Sequence, residues 1–340
     1  MSTQLPTNLP KNNLSQTLAN KELLAKSQSL IALLIMVIAM SFLSDSFLTA
    51  DNGWNILRQI SVNLCLSIGM TLIILSGGID LSVGAILALA GAVAAGALKN
   101  GIALPMFDLL IQFTLAGALV SGLLVGLMLG WFNGFMITQF RIPPFVATLG
   151  MFSIARGLTM LWTGGFPVTG LGDGFTFLGT GNFLAIPMPV WITAILVAIF
   201  VVITRKTRFG RYLYAIGGNE RAALLTGLRV NNIKIWVYTL GGGLAGIAGL
   251  LVTARLDSAQ PNAGLGYELD AIAAVVIGGT SLSGGKGSVM GTVLGCLIIG
   301  VLNNALFLLN VSPFWQQVIK GVIILVAVAI DRANAKNQAG

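Results

Sequence analysis

Two stretches of this chain, Gly77-Gly-Ile-Asp-Leu-Ser-Val-Gly84 and Gly278-Gly-Thr-Ser-Leu-Ser-Gly-Gly285, share the pattern GGxxLSxG at a separation of 201 residues. Each follows one apolar run and precedes another. Each therefore reads as a bend between two helices, where glycine accepts backbone angles closed to other residues and serine satisfies freed backbone groups. Two broken helices at matching places in two halves of a chain point to a transport pathway, although two similar tight turns would leave the same pattern.

The surrounding composition places these bends in a membrane. Of the 340 residues, 56% are hydrophobic and only 9% charged, against roughly a quarter charged in soluble domains. The apolar residues fall in blocks long enough to cross a hydrocarbon core of ~30 Å. The 43 glycines suit close helix packing in lipid. Ten helices are expected, near 29–48, 60–78, 81–98, 109–132, 144–163, 187–204, 235–254, 271–283, 287–309 and 314–330. The fold class expected is thus an all-α polytopic membrane protein of about ten transmembrane helices, with two internally repeated GGxxLSxG broken-helix elements.

Charge sets the orientation. With the N-terminus in the cytoplasm, 14 of the 19 basic residues fall on internal segments, and the acidic residues Asp257, Glu268 and Asp270 fall outside. The positive-inside rule is then satisfied with both termini cytoplasmic. The domain reading is a polar cytoplasmic tail at 1–28, one transmembrane domain at 29–330 with a cytoplasmic loop at 205–234, and a cytoplasmic tail at 331–340. The net charge of +8 follows from this bias and calls for no nucleic acid. The tail shows no short apolar core followed by a small-residue cleavage site, so the first helix is expected to be retained. In this topology both bends run in the same sense, which implies repeats related by an axis along the membrane normal.

Several chemistries find no support. There is no His, and Cys65 and Cys296 lack partners at a ligand-like spacing, which argues against zinc, thiol catalysis and a disulfide scaffold. Gly279-Thr-Ser-Leu-Ser-Gly-Gly-Lys-Gly-Ser288 resembles a phosphate-binding loop but fails its spacing: GxxxxGK[ST] would need Gly at Thr280 and Ser or Thr at Gly287. No metal and no cofactor is expected in this chain, and ATP, if used, is bound by a partner subunit. An ion-coupled carrier usually keeps ionisable groups within its spans. Here Asp80, Arg156 and Lys320 are the few candidates, and the counterpart of Asp80 in the second bend is the uncharged Ser281. No catalytic acid and base pair stands out either. Asn63, Asp80, Ser82, Ser283, Asn303 and Asn304 are the candidate residues of a solute pathway, since such groups hydrogen-bond hydroxyls; joining helices together is their commoner use. The six Trp fall near expected span ends, as an interfacial belt would place them.

The exception to this apolar chain is the segment from Arg205 to Lys234, with seven basic residues and one acid, Glu220. Asn219 can cap a short helix, Glu220 suits its positive start, Ala222, Ala223, Leu224 and Leu225 extend it, and Gly227 fits its stop. Such a helix outside the membrane could lie on anionic lipid.

Its text, Glu220-Arg-Ala-Ala-Leu-Leu-Thr-Gly227, also resembles the EAA-type coupling loop of ATP-binding-cassette importer permeases. Together with Thr207-Arg-Phe-Gly-Arg-Tyr-Leu-Tyr-Ala-Ile-Gly-Gly-Asn-Glu220, Ser258-Ala-Gln-Pro-Asn-Ala-Gly-Leu-Gly-Tyr-Glu-Leu-Asp-Ala-Ile-Ala-Ala-Val-Val276 and both GGxxLSxG elements, it is similar to the ribose, xylose and arabinose permease family, nearest its ribose branch. The resemblance runs from about Leu30 to Ile330. It implies a non-catalytic, multi-pass permease of the bacterial inner membrane that imports a monosaccharide, ribose before other pentoses. It implies as partners a second permease copy, a cytoplasmic ATP-binding subunit and a periplasmic sugar-binding protein, besides membrane lipid. Asn219, Glu220, Ala222, Ala223 and Gly227 then take the role of ATPase coupling contact. The alternative from another class is an ion-coupled secondary sugar carrier.

Overall fold

The computed structural model describes residues 30–104 and 109–339; the polar tail expected at 1–28 lies outside them. Among the described residues the chain is mostly helical. Six helices are long and apolar enough to cross a membrane: α2 Ala50–Leu75, α4 Leu115–Gln139, α5 Pro144–Thr163, α7 Met188–Lys206, α10 Val230–Leu256 and α12 Val289–Leu308. Shorter apolar helices accompany them, namely α1 Leu30–Leu43, α3 Val83–Lys99 and the first part of α13 Pro313–Ala339. The chain is a multi-pass membrane protein.

Three further helices are not membrane-length. These are α6 Asp173–Thr180, α8 Arg208–Gly218 and α9 Glu220–Leu225. A fourth, α11 Tyr267–Ile277, has 11 residues, so at 1.5 Å per residue it spans roughly 16 Å, about half a hydrocarbon core. Three short antiparallel pairs fill the connections: β1 Ile102–Leu104 with β2 Leu109–Ile111, β3 Val168–Thr169 with β6 Ser258–Ala259, and β4 Asn182–Phe183 with β5 Ile186–Pro187.

Each of the ten expected apolar blocks carries a helix, but the ends differ where local chemistry outweighs hydropathy. Helix α2 starts ten residues before the expected 60, because Thr49 Oγ1 accepts from the Asn52 amide at 3.4 Å and Asp51 sits in the first turn. Helix α4 is shifted from 109–132 to 115–139, since the β1–β2 pair takes up the preceding residues and Thr114 caps the helix by accepting from Gly117 at 3.3 Å. Trp131, expected at a span end, consequently lies inside α4 and stacks on Phe135. Helix α13 continues to Ala339, past the expected 330.

Helices α2 and α10 form the centre and are mostly buried, whereas α4, α5 and α7 turn most of their apolar surface outward. Helix α10 packs on α2, α3 and α4. Its contact with α4 is backbone to backbone: Gly122, Gly126, Gly130 and Gly134 recur every fourth residue, and a Cβ at Gly126 or Gly130 would overlap the carbonyl of Gly242 or Tyr238. In lipid, where no hydrophobic effect drives helices together, such close approach supplies the dispersion contact that holds them. The stripe is plain in the sequence once α4 has its observed bounds; the general excess of glycine concealed it.

Candidate functional site

Both GGxxLSxG bends lie at the same end of the molecule, and the segment 205–234 lies there with them. Thr207 breaks α7 from α8, donating its hydroxyl to Ile203 at 2.6 Å and accepting from the Gly210 amide at 3.3 Å. Helix α8 buries Gly210, Leu213 and Ile216 and exposes Arg208 and Arg211, an amphipathic pattern that lays it against the bundle end. Asn219 then caps α9, its Oδ1 accepting from the Ala222 amide at 3.0 Å. Gly227, at φ +82°, carries the chain out of α9 in a conformation that favours glycine.

The C-terminal end of α8 is wedged between the two bends. The Gly285 amide of the second bend donates to the Leu75 carbonyl at the end of α2, 3.1 Å away. A Cβ at Gly217 would overlap both of those groups, so no larger residue fits there without backbone movement. Tyr214 reinforces the contact by donating its hydroxyl to the Gly287 carbonyl at 2.9 Å. A rigid displacement of α8 and α9 would therefore act on α2 and on the connection into α12 together.

The motif residues divide by direction. Ala223 is buried in a core cluster with Leu213, Ile216, Val230 and Ile233, so it seats α9 on its own chain. Ala222, Leu224 and Leu225 face outward, Leu225 at 89% exposure. Glu220 is held by Lys234, 2.7 Å from its carboxylate, which staples α9 to the second turn of α10.

The six candidate pathway residues are not one site. Asp80 and Ser82 are fully buried in the first bend. Asp80 Oδ1 accepts from the Ser82 amide at 2.7 Å and its hydroxyl at 2.5 Å, and Asn133 of α4 donates to that hydroxyl at 2.9 Å. They serve to hold the bend. Ser283 is exposed on the second bend. Asn63, Asn303 and Asn304 do come together, lining a cavity of about 630 Å³ toward the opposite end of the molecule. Asn304 is engaged there in a reciprocal carboxamide pair with Asn52, at 3.1 and 2.7 Å, which joins α2 to α12.

The cavity also collects Asn55, Arg58 and Gln59 of α2, Asp270 of α11 and Gln316 and Lys320 of α13. Lys320 pairs with Asp270 at 2.9 Å. Lys320 is one of the ionisable groups the sequence places within a span, but the 50 residues between the two conceal Asp270 as its partner. Arg156 of α5 instead donates to the Pro261 and Ala263 carbonyls at 2.7 and 3.0 Å, fixing the loop before α11.

The family model described as branched-chain amino acid transport system, permease component, matches residues 53–328. The chain is 49% identical to the ribose import permease protein RbsC of Haemophilus influenzae, covering 91% of this chain and 93% of that one. It is equally, 49%, identical to RbsC of Bacillus subtilis, over 90% and 92% of the two chains. The D-allose transport system permease protein AlsC of Escherichia coli is 39% identical over 90% of this chain and 91% of its own. No solved structure gives a significant match.

Proposed function

This chain belongs to the family of permease components described for branched-chain amino acid transport systems, and on that premise we propose that it is the membrane-spanning permease subunit of an ATP-driven monosaccharide importer, with ribose as its solute. The observation that carries the mechanism is the wedging of Gly217, near the end of α8, between Leu75 and Gly285, three residues before α9 begins at Glu220. Its identity to ribose import permeases supports the solute.

In this reading α8, α9 and both bends lie on the cytoplasmic side, as do both termini, in a bacterial inner membrane. About ten helices are embedded in lipid, α11 as a half-length element. Two copies of the chain pair with a cytoplasmic ATPase and receive sugar from a periplasmic binding protein. ATP-driven movement of the ATPase presses on the outward face of α9, chiefly Leu224 and Leu225, and Glu220 with Lys234 keeps α9 rigid enough to transmit it. Through Gly217 the push reaches α2 and α12, which flank the cavity at their far ends. A rigid-body change of this kind alternates the face to which a solute path opens.

The test is reconstitution of the chain with its ATPase and binding protein in proteoliposomes. ATP-dependent accumulation of ribose is the expected result. Accumulation driven by a proton or sodium gradient in the absence of ATP and partner subunits would establish the secondary carrier instead.

A further inference from the structure

Helix α7 carries its lipid-facing side to a cationic end. Ile195, Ile199 and Val202 recur at helical spacing and are 46–56% exposed, whereas Thr193, Phe200 and Thr204 are buried on the opposite side. Lys206, one turn beyond Val202, is exposed on the same line as the three apolar residues. The hydrocarbon-facing stripe of a membrane-length helix thus ends in an ammonium group, whose stem follows the acyl chains while its head reaches the interface.

Three guanidinium groups adjoin it. Arg205 shares the last turn of α7, and Arg208 and Arg211 stand one turn apart on the exposed side of α8, after the break at Thr207. Two residues of chain span at most about 7 Å, so the backbones of Lys206 and Arg208 lie within reach of one phosphodiester. Neither ion pair among the described residues includes any of these four cations, and Glu220, the acid of the segment, is engaged by Lys234.

Helix electrostatics account for only part of the cluster. Arg205 and Lys206 suit the negative end of α7, but Arg208 and Arg211 occupy the first turn of α8, its positive end, where cations are unfavourable. An anion at the elbow between the two helices removes that cost. Phosphate fits, because a guanidinium donates two parallel hydrogen bonds to it. The lipid-facing line of α7 brings the elbow to the depth at which a bilayer presents phosphate. Trp236, 60% exposed in the second turn of α10 and of a residue type that favours the interface, sits on a helix that α8 contacts.

We propose that the α7–α8 elbow, built by Arg205, Lys206, Arg208 and Arg211, is a headgroup site for an anionic phospholipid of the adjoining leaflet. The proposal goes beyond the importer reading and stands on membrane embedding alone. The lipid seats the start of the helix that carries Gly217.

The test uses the full chain in maltoside detergent and native mass spectrometry, with dioleoylphosphatidylglycerol and dioleoylphosphatidylcholine as probes. Phosphatidylglycerol is expected to bind at least about tenfold more tightly, since each basic residue at an anionic surface contributes about fivefold. Arg205→Gln, Lys206→Gln, Arg208→Gln and Arg211→Gln combined should lower its affinity at least about tenfold and leave phosphatidylcholine unchanged. The control is Arg221→Gln with Arg229→Gln, exposed cations further along the same segment, which should change the affinity less than about twofold because they lie off the elbow. No preference for phosphatidylglycerol, a preference retained in the combined variant, or an equal loss in the control would overturn the proposal. Should the combined variant fail to insert, Lys206→Gln and Arg208→Gln singly decide it: a fall of about fivefold is expected in each, and no fall in either counts against the site. The other occupant is tested in phosphatidylcholine nanodiscs. Loss of ATPase association there in the combined variant, with the lipid preference intact, would assign the face to the ATPase and overturn the lipid site.

Discussion

The amide of Gly285 donates to the carbonyl of Leu75 across 3.1 Å, tying the end of the second GGxxLSxG element to the helix that leads into the first. Gly217 packs directly on that hydrogen bond. The contact needs three backbones in one place, which is why side chains are excluded from it.

Gly217→Ala forces the junction apart. With a Cβ overlapping Leu75 and Gly285, a loss of about 1–3 kcal/mol is expected, together with a clear fall in ATP-driven uptake. Gly218, where a Cβ would meet nothing within 4 Å, is the control: Gly218→Ala should leave stability equal or higher by about 0.5–1 kcal/mol. Thermal unfolding and ribose uptake of the two variants check this, and equal behaviour would remove the junction from the coupling path.

Glu220→Arg sets two cations side by side where Glu220 now meets Lys234 at 2.7 Å. The carboxylate is half exposed, so the cost in global stability is no more than about 1 kcal/mol. Uptake, however, should fall severalfold as α9 loses its staple. The charge-swapped pair Glu220→Lys with Lys234→Glu should recover part of it. Uptake unchanged in the single variant would mean that the staple is not needed for coupling.

Leu225→Asp alters the most exposed large apolar side chain of the chain's described residues, at 89%. So exposed a side chain contributes little to packing, and the unfolding temperature of the permease should move within the equivalent of about 0.5 kcal/mol. Association with the ATPase subunit should weaken by at least an order of magnitude in co-purification or surface-binding measurements. Retained assembly would mean that α9 docks by another surface.

Asn304→Leu strands the buried carboxamide of Asn52, which loses both of its bonds to Asn304. A cost of about 1–3 kcal/mol is expected. The double variant Asn52→Leu with Asn304→Leu should regain part of that loss, since neither carboxamide is left stranded and only the Phe47 carbonyl loses its donor, Asn52 Nδ2 at 2.9 Å. A double-mutant cycle on thermal unfolding measures the coupling.

The sequence by itself determined the class of fold, a mostly helical multi-pass membrane protein, and the capped helix at Asn219, because hydropathy runs and capping are local properties that neighbours along the chain decide. The helix starts it misplaced, at α2 and α4, follow from caps and a strand pair whose signals are weaker than the apolar run beside them. Only the tertiary structure decided which polar residues act together. It locked Asp80 and Ser82 into a bend, turned Ala223 inward, closed Asn52 on Asn304 across 252 residues, and brought Asp270 and Lys320 to the same cavity as Asn63 and Asn303. A carboxamide reads the same in a chain whether it joins two helices or faces a cavity. Its neighbours in space distinguish the two, and those are set by helix packing at glycine contacts of van der Waals range, which no local pattern specifies.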